Sequence, residues 1–315
     1  MGAGARVPRG PGVFPPSPAP PTLDRAGPPA PDGGPLPIPG GHPPFLHFLP
    51  DPCAMTPSES TSVPGTATPV SEVPGTSAGL ATLVRRDWDQ AFPWLAQGTT
   101  TRELDFRLWG GSPGGRALEA WEALREASGA CTVVHARQVH GGGVRFHDAG
   151  APGLHLVPPV DGHMTCTPGV LLAVTVADCV PVFLVAEWPR AVAVLHAGWR
   201  GVAEGILEAG IRGFQERLGL EPEALHLHLG PAIGGPAYEV GPDVHRALGR
   251  QDPGVPTPLD LRAILVERAL RAGVLPARIG YSERCTRNDP LLFSHRGGDA
   301  MRQVAFAMIR SRGSS

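Results

Sequence analysis

The feature that most constrains this chain is a pair of apolar runs, Leu171–Ala177 and Val180–Ala186, separated only by Asp178 and Cys179. A third run, Ala191–Leu195, follows closely and ends in His196. Runs of this length with no regular polar alternation fit strands covered on both faces rather than strands with one face in water. Around them the pattern changes. Ala117, Leu118, Trp121 and Leu124 recur at helical spacing and predict a helix over 115–128. Val202, Ile206, Ala209 and Phe214 fall near one side of a second helix expected over 201–218, with Glu204, Glu208 and Arg212 elsewhere. Further helices are expected at 242–249, 260–273 and 299–311, and strands at Cys131–His135, Leu225–Leu229 and Ile279–Glu283. The strand Leu225–Leu229 alternates with period two, so His226 and His228 share a polar face that water is expected to cover. Strands and helices mixed in this order indicate an α/β (α+β) single-domain sandwich.

That domain is expected over residues 81–315. The first 80 residues hold 21 of the 38 prolines and few bulky apolar side chains. Ordering such a segment loses backbone entropy with little burial to offset it, so residues 1–80 are expected to form a disordered Pro/Gly-rich tail. Phe45–Leu49 is an apolar island within it, too short to span or insert into a membrane. Met55 is an alternative start for the translated protein, which would remove residues 1–54. The remaining roughly 235 residues suffice for one domain with a sizeable core.

The bulk properties exclude several partners. The net charge is -2, so no basic field draws the chain toward nucleic acid or anionic lipid. No run of 18 or more apolar residues is present, and the N-terminus lacks the charged-then-apolar order of a secretory signal. Five cysteines (Cys53, Cys131, Cys166, Cys179 and Cys285) show no framework spacing. An odd, unpatterned set fits a reducing compartment in which a thiol serves as ligand or nucleophile. The chain is expected to be cytoplasmic, a monomer or weak homodimer, acting on small molecules.

Three segments carry reactive side chains where apolar strands end. They are Gln138-Val139-His140-Gly141, Ala177-Asp178-Cys179 and His196-Ala197-Gly198-Trp199-Arg200-Gly201. Side chains at the ends of packed strands converge with little positional freedom. Two imidazoles and a thiolate form a borderline-soft ligand set suited to zinc, or to copper. Three protein ligands leave a fourth position open, where a water would become nucleophilic near neutral pH. The spacings of the three match no zinc-finger pattern, and each residue has a simpler reading: a cysteine as small core filler, a histidine as a hydrogen-bonded side chain. Arg200 and Gly201 open the second helix, where a fixed cation and free N–H groups would seat phosphate or carboxylate; a surface arginine beside a cap is the alternative. Asp161 and Asp178 are carboxylates able to orient a ligand histidine or relay protons. Cys285-Thr286 follows a strand and either lines the same cavity or fills the core.

Taken together, Gln138–Gly141, Ala177-Asp178-Cys179-Val180-Pro181-Val182, His196–Gly201, Gly230-Pro231-Ala232-Ile233-Gly234, Tyr238–Gly241 and Cys285-Thr286 stand in the order found in one family. From about residue 90 to 310 the chain resembles the polyphenol oxidase or laccase-domain family, now regarded as purine nucleoside phosphorylases. The resemblance implies an α/β sandwich with a mixed sheet. It also implies a metal, usually zinc, held by His140, Cys179 and His196. It implies phosphorolysis of adenosine, inosine or S-methyl-5′-thioadenosine, and deamination of adenosine. Catalytic roles then fall to Asp178, Cys179 and Arg200, and substrate or phosphate contacts to Arg102, Gln138, Arg200, Gly201 and Cys285. The chain departs from the family at Pro236-Ala237, where a cysteine pair is common, and at Phe293-Ser294-His295-Arg296-Gly297, where Phe-Ser-Tyr-Arg-Arg is usual. Toward the N-terminus only Thr99–Arg102 and Gly110-Gly111-Ser112 resemble the family's arginine-bearing turn and glycine stretch. These departures bear on specificity more than on the metal centre. Two other functions remain open at this stage: a copper-dependent polyphenol oxidase using the same ligands, and a non-catalytic, zinc-stabilised binding module.

Overall fold

The computed structural model describes residues 67–77, 80–109 and 114–311. In chain order these form β1 (Thr68–Val70), β2 (Val73–Ser77), β3 (Leu80–Val84), α1 (Arg86–Ala91), β4 (Leu95–Thr100), α2 (Gly114–Ser128) and β5 (Thr132–Ala136). Then come β6 (Val144–Phe146), β7 (Gly153–Val157), β8 (Gly162–Thr165), β9 (Val170–Val176), β10 (Val180–Glu187) and β11 (Arg190–Ala197). The C-terminal part holds α3 (Trp199–Ala203), α4 (Ile206–Leu218), β12 (His226–Leu229), β13 (Glu239–Val240) and α5 (Pro242–Ala247). It ends with β14 (Thr257–Pro258), α6 (Leu261–Arg271), β15 (Ile279–Ser282) and β16 (Gln303–Ile309).

Two seven-stranded sheets result, one in the order β1-β15-β12-β10-β11-β8-β6 and the other β2-β3-β4-β16-β9-β5-β7. Both are mixed: β10 pairs antiparallel with β11 and β12, while β12 runs parallel to β15; β9 is antiparallel to β16 and parallel to β5. The continuous apolarity of the central strands follows from a layered arrangement. Phe183, Val185, Val192 and Val194 of one sheet meet Leu172, Val174, Ala305 and Ala307 of the other in a core between the sheets. The alternate residues of β10 and β11 (Val182, Leu184, Ala193 and Leu195) turn outward against α4 and α6. The alternate residues of β9 and β16 (Leu171, Ala173, Phe306 and Met308) turn outward against Trp121 and Leu124 of α2. Each central strand is therefore buried twice over, as its sequence demands.

Several expectations are corrected. Residues 1–66 lie outside the described part, but Thr68–Val70 and Val73–Ser77 are strands, so the ordered domain reaches N-terminally past residue 80. Strand β1 finds its partner across the sequence, pairing with β15. The helix expected over 299–311 is the central strand β16, all seven residues of it buried. A short, unbroken apolar run does not distinguish a buried helix from a buried strand, and the neighbouring β4 and β9 decide the matter. The helix expected over 201–218 breaks into α3 and α4 at Gly205, whose φ of +82° turns the chain left-handed. The supposed polar face of β12 is largely covered, though His226 keeps 21% of its side chain exposed beside Glu187. His226 lies 4.9 Å from the Phe92 ring, and buried His228 bonds Glu72 Oε1 at 2.8 Å.

Phe306 is fully buried in the layer under α2. Replacing it with alanine is expected to cost about 3–5 kcal/mol, read from the midpoint of denaturant unfolding at unchanged m-value.

Candidate metal centre

The site is built at the seam where the chain passes from one sheet to the other. Strand β9 ends at Val176 in one sheet and β10 begins at Val180 in the other, so residues 177–179 make the whole crossing. Asp178 adopts φ +88° to do so, a backbone state unusual for a non-glycine residue and costing about 1–3 kcal/mol. Its own side chain holds it there: Oδ1 accepts the Thr286 hydroxyl at 2.6 Å and Oδ2 accepts the Arg296 backbone N–H at 2.6 Å. The Asp178 carbonyl takes the N–H of Ile233 at 3.0 Å. Cys179 thus emerges beside the end of β11, because β10 and β11 pair with Pro181 opposite His196.

His140 comes from the other sheet, in the loop after β5, and is the second non-glycine residue at positive φ (+61°) among the described residues. A single carboxylate fixes this loop. Asp161 is fully buried and accepts the backbone N–H groups of Val139, His140 and Gly141 at 3.0, 2.9 and 2.9 Å. The same side chain contacts His196 Nδ1 at 2.8 Å, and its carbonyl accepts the His196 N–H at 2.7 Å. Gly198 lies beneath the cluster. A Cβ there would stand 3.1 Å from both Cys179 Sγ and His140 Cδ2, so only glycine leaves the donors their space.

The donor atoms of His140, Cys179 and His196 lie within 4.8 Å of one another, and among the described residues they are the one His/Cys/Asp/Glu group that could share a metal ion. The chemistry of the set suits a divalent ion. Burial pushes the Cys179 thiol up, but the His196 charge and hydrogen bonds from both histidines outweigh it and hold the thiol at about 6. For His196 burial acts downward, while the Cys179 thiolate and Asp161 carry it up to about 9. With Nδ1 committed to Asp161, the Nε2 of His196 is the nitrogen left for a ligand. These residues fit a three-ligand metal centre with one position open to a cavity of about 430 Å³.

The cavity is lined by all three donors and by Gln138, whose amide is clamped to β9. Its Oε1 accepts the Thr175 N–H and hydroxyl at 2.7 and 2.8 Å, and its Nε2 donates to the Thr175 carbonyl at 2.8 Å. The other expected site residues lie elsewhere. Asp178 is buried behind Cys179 with both oxygens engaged, so it supports the turn and does not line the cavity. Arg200 is exposed, stacks on Trp199 at 4.1 Å and lies outside the lining; Gly201 is buried against the Gly141 carbonyl. Helix α3, which they open, has only five residues, too little to aim a dipole at an anion. Arg102 pairs with Asp299 at 3.2 Å. Cys285 is held in a disulfide and its sulfur accepts the Gly234 N–H at 3.2 Å, so it brings no thiol to the site; Cys131, Cys166 and Cys179 are free.

The sequence motifs assigned no site role to several cavity residues, among them Arg107 and Trp109 after β4, Arg137 after β5, and His295 and Arg302 before β16. No local pattern marks these loops. The departure from the family at His295 was the one available signal.

A family model described as multi-copper polyphenol oxidoreductase laccase matches residues 115–310. The chain belongs to this family. Within it, a purine nucleoside phosphorylase of Xylella fastidiosa (strain Temecula1 / ATCC 700964) is 39% identical over 173 residues, covering 51% of this chain and 65% of that protein. The purine nucleoside phosphorylase YlmD of Geobacillus stearothermophilus is 36% identical over 203 residues, covering 60% of this chain and 72% of that one. The match to this chain thus spans about two thirds of the length of these relatives. The crystal structure of YlmD from Geobacillus stearothermophilus superposes with a TM-score of 0.66 at 30% identity, covering 70% of this chain and 93% of that one. Bacillus licheniformis YfiH, at 22% identity and TM-score 0.66, shares the fold. The mixed α/β sandwich implied by the sequence resemblance is therefore the architecture of the laccase-like domain seen here. No helix among the described residues is long and apolar enough to cross a membrane.

Two predictions follow from this geometry. Between about pH 6 and 9 the metal-free pair is imidazolium and thiolate, whereas a ligand imidazole must be neutral. Metal binding in that window is expected to release about one proton and to tighten as pH rises toward 9, measured by calorimetry in buffers of different ionisation enthalpy. Asp161→Asn, which weakens the hold on both His196 and the His140 loop, is expected to lower metal affinity about 10–100-fold in a chelator competition.

Proposed function

We propose that this chain is a metal-dependent purine nucleoside phosphorylase, acting on adenosine, inosine or S-methyl-5′-thioadenosine, with adenosine deaminase activity. The observation that carries the reading is the His140–Cys179–His196 donor set opening onto a nucleoside-sized cavity with arginines in its wall. The names borne by the relatives support the phosphorylase part of this reading. Zinc is the preferred ion, with copper the alternative for the same donors.

The ion, when bound, supplies Lewis-acid polarisation and a nucleophilic water near neutral pH. The protein's own residues do the rest. Asp161 holds the tautomer of His196 and the shape of the His140 loop, so the donors are preorganised before substrate arrives. Gln138, fixed on Thr175, presents a rigid polar wall. Asp178 acts as a positioning residue, keeping Cys179 at the crossing. Arg200, in the turn that follows His196, stacks on Trp199 and is not part of the cavity lining. In phosphorolysis a phosphate oxygen bonds to the ribose C1′ as the C1′–N9 bond breaks. The bonding pair leaves on the purine ring, which takes a proton, giving the base and ribose 1-phosphate. In deamination water adds at C6 of adenine and ammonia leaves, giving inosine.

The family's description favours a second reading, copper-dependent oxidation of phenols at the same donors. Incubating the zinc-loaded protein with adenosine, with and without phosphate, separates the possibilities. Phosphate-dependent adenine and phosphate-independent inosine are expected by chromatography, and Cys179→Ala is expected to lose both. Equal product from wild type and variant overturns the site assignment. Copper-dependent oxygen uptake with a phenol, exceeding nucleoside turnover, establishes the oxidase instead. Metal removal that unfolds the protein, with no turnover in the metal-loaded form, establishes a zinc-stabilised binding module.

A further inference from the structure

The same cavity holds a cluster of cations that no donor to a metal explains. Arg107, Arg137 and Arg302 all line it, together with His295, and no aspartate or glutamate does. The nearest acid to Arg107 is Asp105, 3.8 Å from its guanidinium. Asp105 works mainly as a staple: its Oδ1 accepts the backbone N–H of both Arg107 and Arg302 at 3.1 Å, tying the loop after β4 to the start of β16. Two guanidiniums are thereby held beside each other. Burial first, and then the like charge of Arg107, lower the basicity of Arg302. Arg302 is itself anchored through Nη1 to the carbonyls of Asp299, Ala300 and Met301, at 3.2, 3.1 and 2.7 Å. Its Nη2 reaches His295 Nδ1 at 3.5 Å. The Nε of Arg107 is buried and has no hydrogen-bond partner among the described residues. With no carboxylate in the cavity lining, the neighbouring guanidiniums leave positive charge there that an entering anion would offset.

We propose that Arg107 and Arg302, with His295 and Arg137 beside them, form a seat for a phosphate group in the cavity of the metal centre. The seat rests on the phosphorylase reading only for its role. There it would hold the attacking phosphate by charge-assisted hydrogen bonds and bring it to the nucleoside beside the metal donors. It takes the place of the Arg200 helix terminus, which is not part of the cavity lining. The ligand is either free phosphate or the phosphate of a nucleotide.

Calorimetric titration of the full-length, zinc-loaded protein with inorganic phosphate, and separately with adenosine 5′-monophosphate, tests the seat without reference to turnover. Arg107→Gln is expected to weaken phosphate binding roughly tenfold or more, as loss of a charge-assisted contact does, with Arg107→Lys recovering part of the loss. The KM for phosphate is expected to rise by the same factor, well beyond any change in the KM for nucleoside. Weakened binding of the nucleotide with no measurable binding of free phosphate supports the seat and assigns it to nucleotides. Unchanged phosphate and nucleotide affinity in Arg107→Gln overturns it. Should Arg107→Gln fail to fold, Arg137→Gln, at an exposed position, carries the same test: unaltered affinity for both anions counts against the seat. Phosphate binding that depends on Arg107, without any nucleoside turnover, sinks the phosphorylase reading and leaves the seat standing. Turnover whose phosphate KM ignores Arg107 does the reverse.

Discussion

A carboxylate removed from water and ringed by N–H donors organises this protein's centre. Asp161 meets three consecutive backbone N–H groups of the His140 loop, the imidazole of His196 and, through its carbonyl, the His196 backbone. Burial alone would raise its pKa and favour the protonated form, but the hydrogen bonds from His196 and Gly141 prevail and keep it ionised. Each partner gains from the others. The loop holds His140 at a positive φ that it would otherwise relax from, and the imidazole is fixed in one tautomer. Loss of the carboxylate would leave several buried donors unpaired at once, which is why the site's shape hangs on this one side chain.

The two-sheet sandwich supplies the frame on which that interaction acts. His140 comes from a loop of one sheet, His196 from a strand end of the other, and Cys179 from the three-residue crossing between them. No single element could present the three donors together. Dense packing of the central strands on both faces holds the seam rigid, since the cores on either side do not deform continuously. The strained backbone at Asp178 is held by Thr286 and Arg296, from segments more than a hundred residues away. Strain at the site is thus secured by hydrogen bonds reaching to distant parts of the chain.

The cavity beside the donors combines a soft, electron-rich ligand corner with a cationic wall. Polarity divided in this way suits a substrate with a neutral ring at one end and an anion at the other. Arg107 and Arg302 keep their charges close together because Asp105 spends one oxygen on their backbone amides rather than on their guanidiniums.

Much of this was legible in the residues themselves. The unbroken runs around Asp178 and Cys179 demanded strands buried on both faces, and the reactive residues at their ends, with their motif context, pointed to His140, Cys179 and His196. The helix α2 and strands β5, β9, β10, β11 and β15 follow from periodicity and run length, which are local properties of the chain. Other features could not be read locally. Gln303–Ile309 is a strand because β4 and β9 lie on either side of it; Trp88 and Glu72 cover His228, and Phe92 half-covers His226. Arg200 carried every local mark of an anion site, yet the chain turns it onto Trp199, while Arg107 and Arg302, unremarkable in sequence and almost two hundred residues apart, share the cavity wall. The sequence by itself determined the central strands on either side of Cys179, the apolar residues that bury them and the side chains with the chemistry of a ligand. Only the tertiary structure decided which of those chemistries meet, because convergence depends on contacts between distant segments that no local pattern encodes.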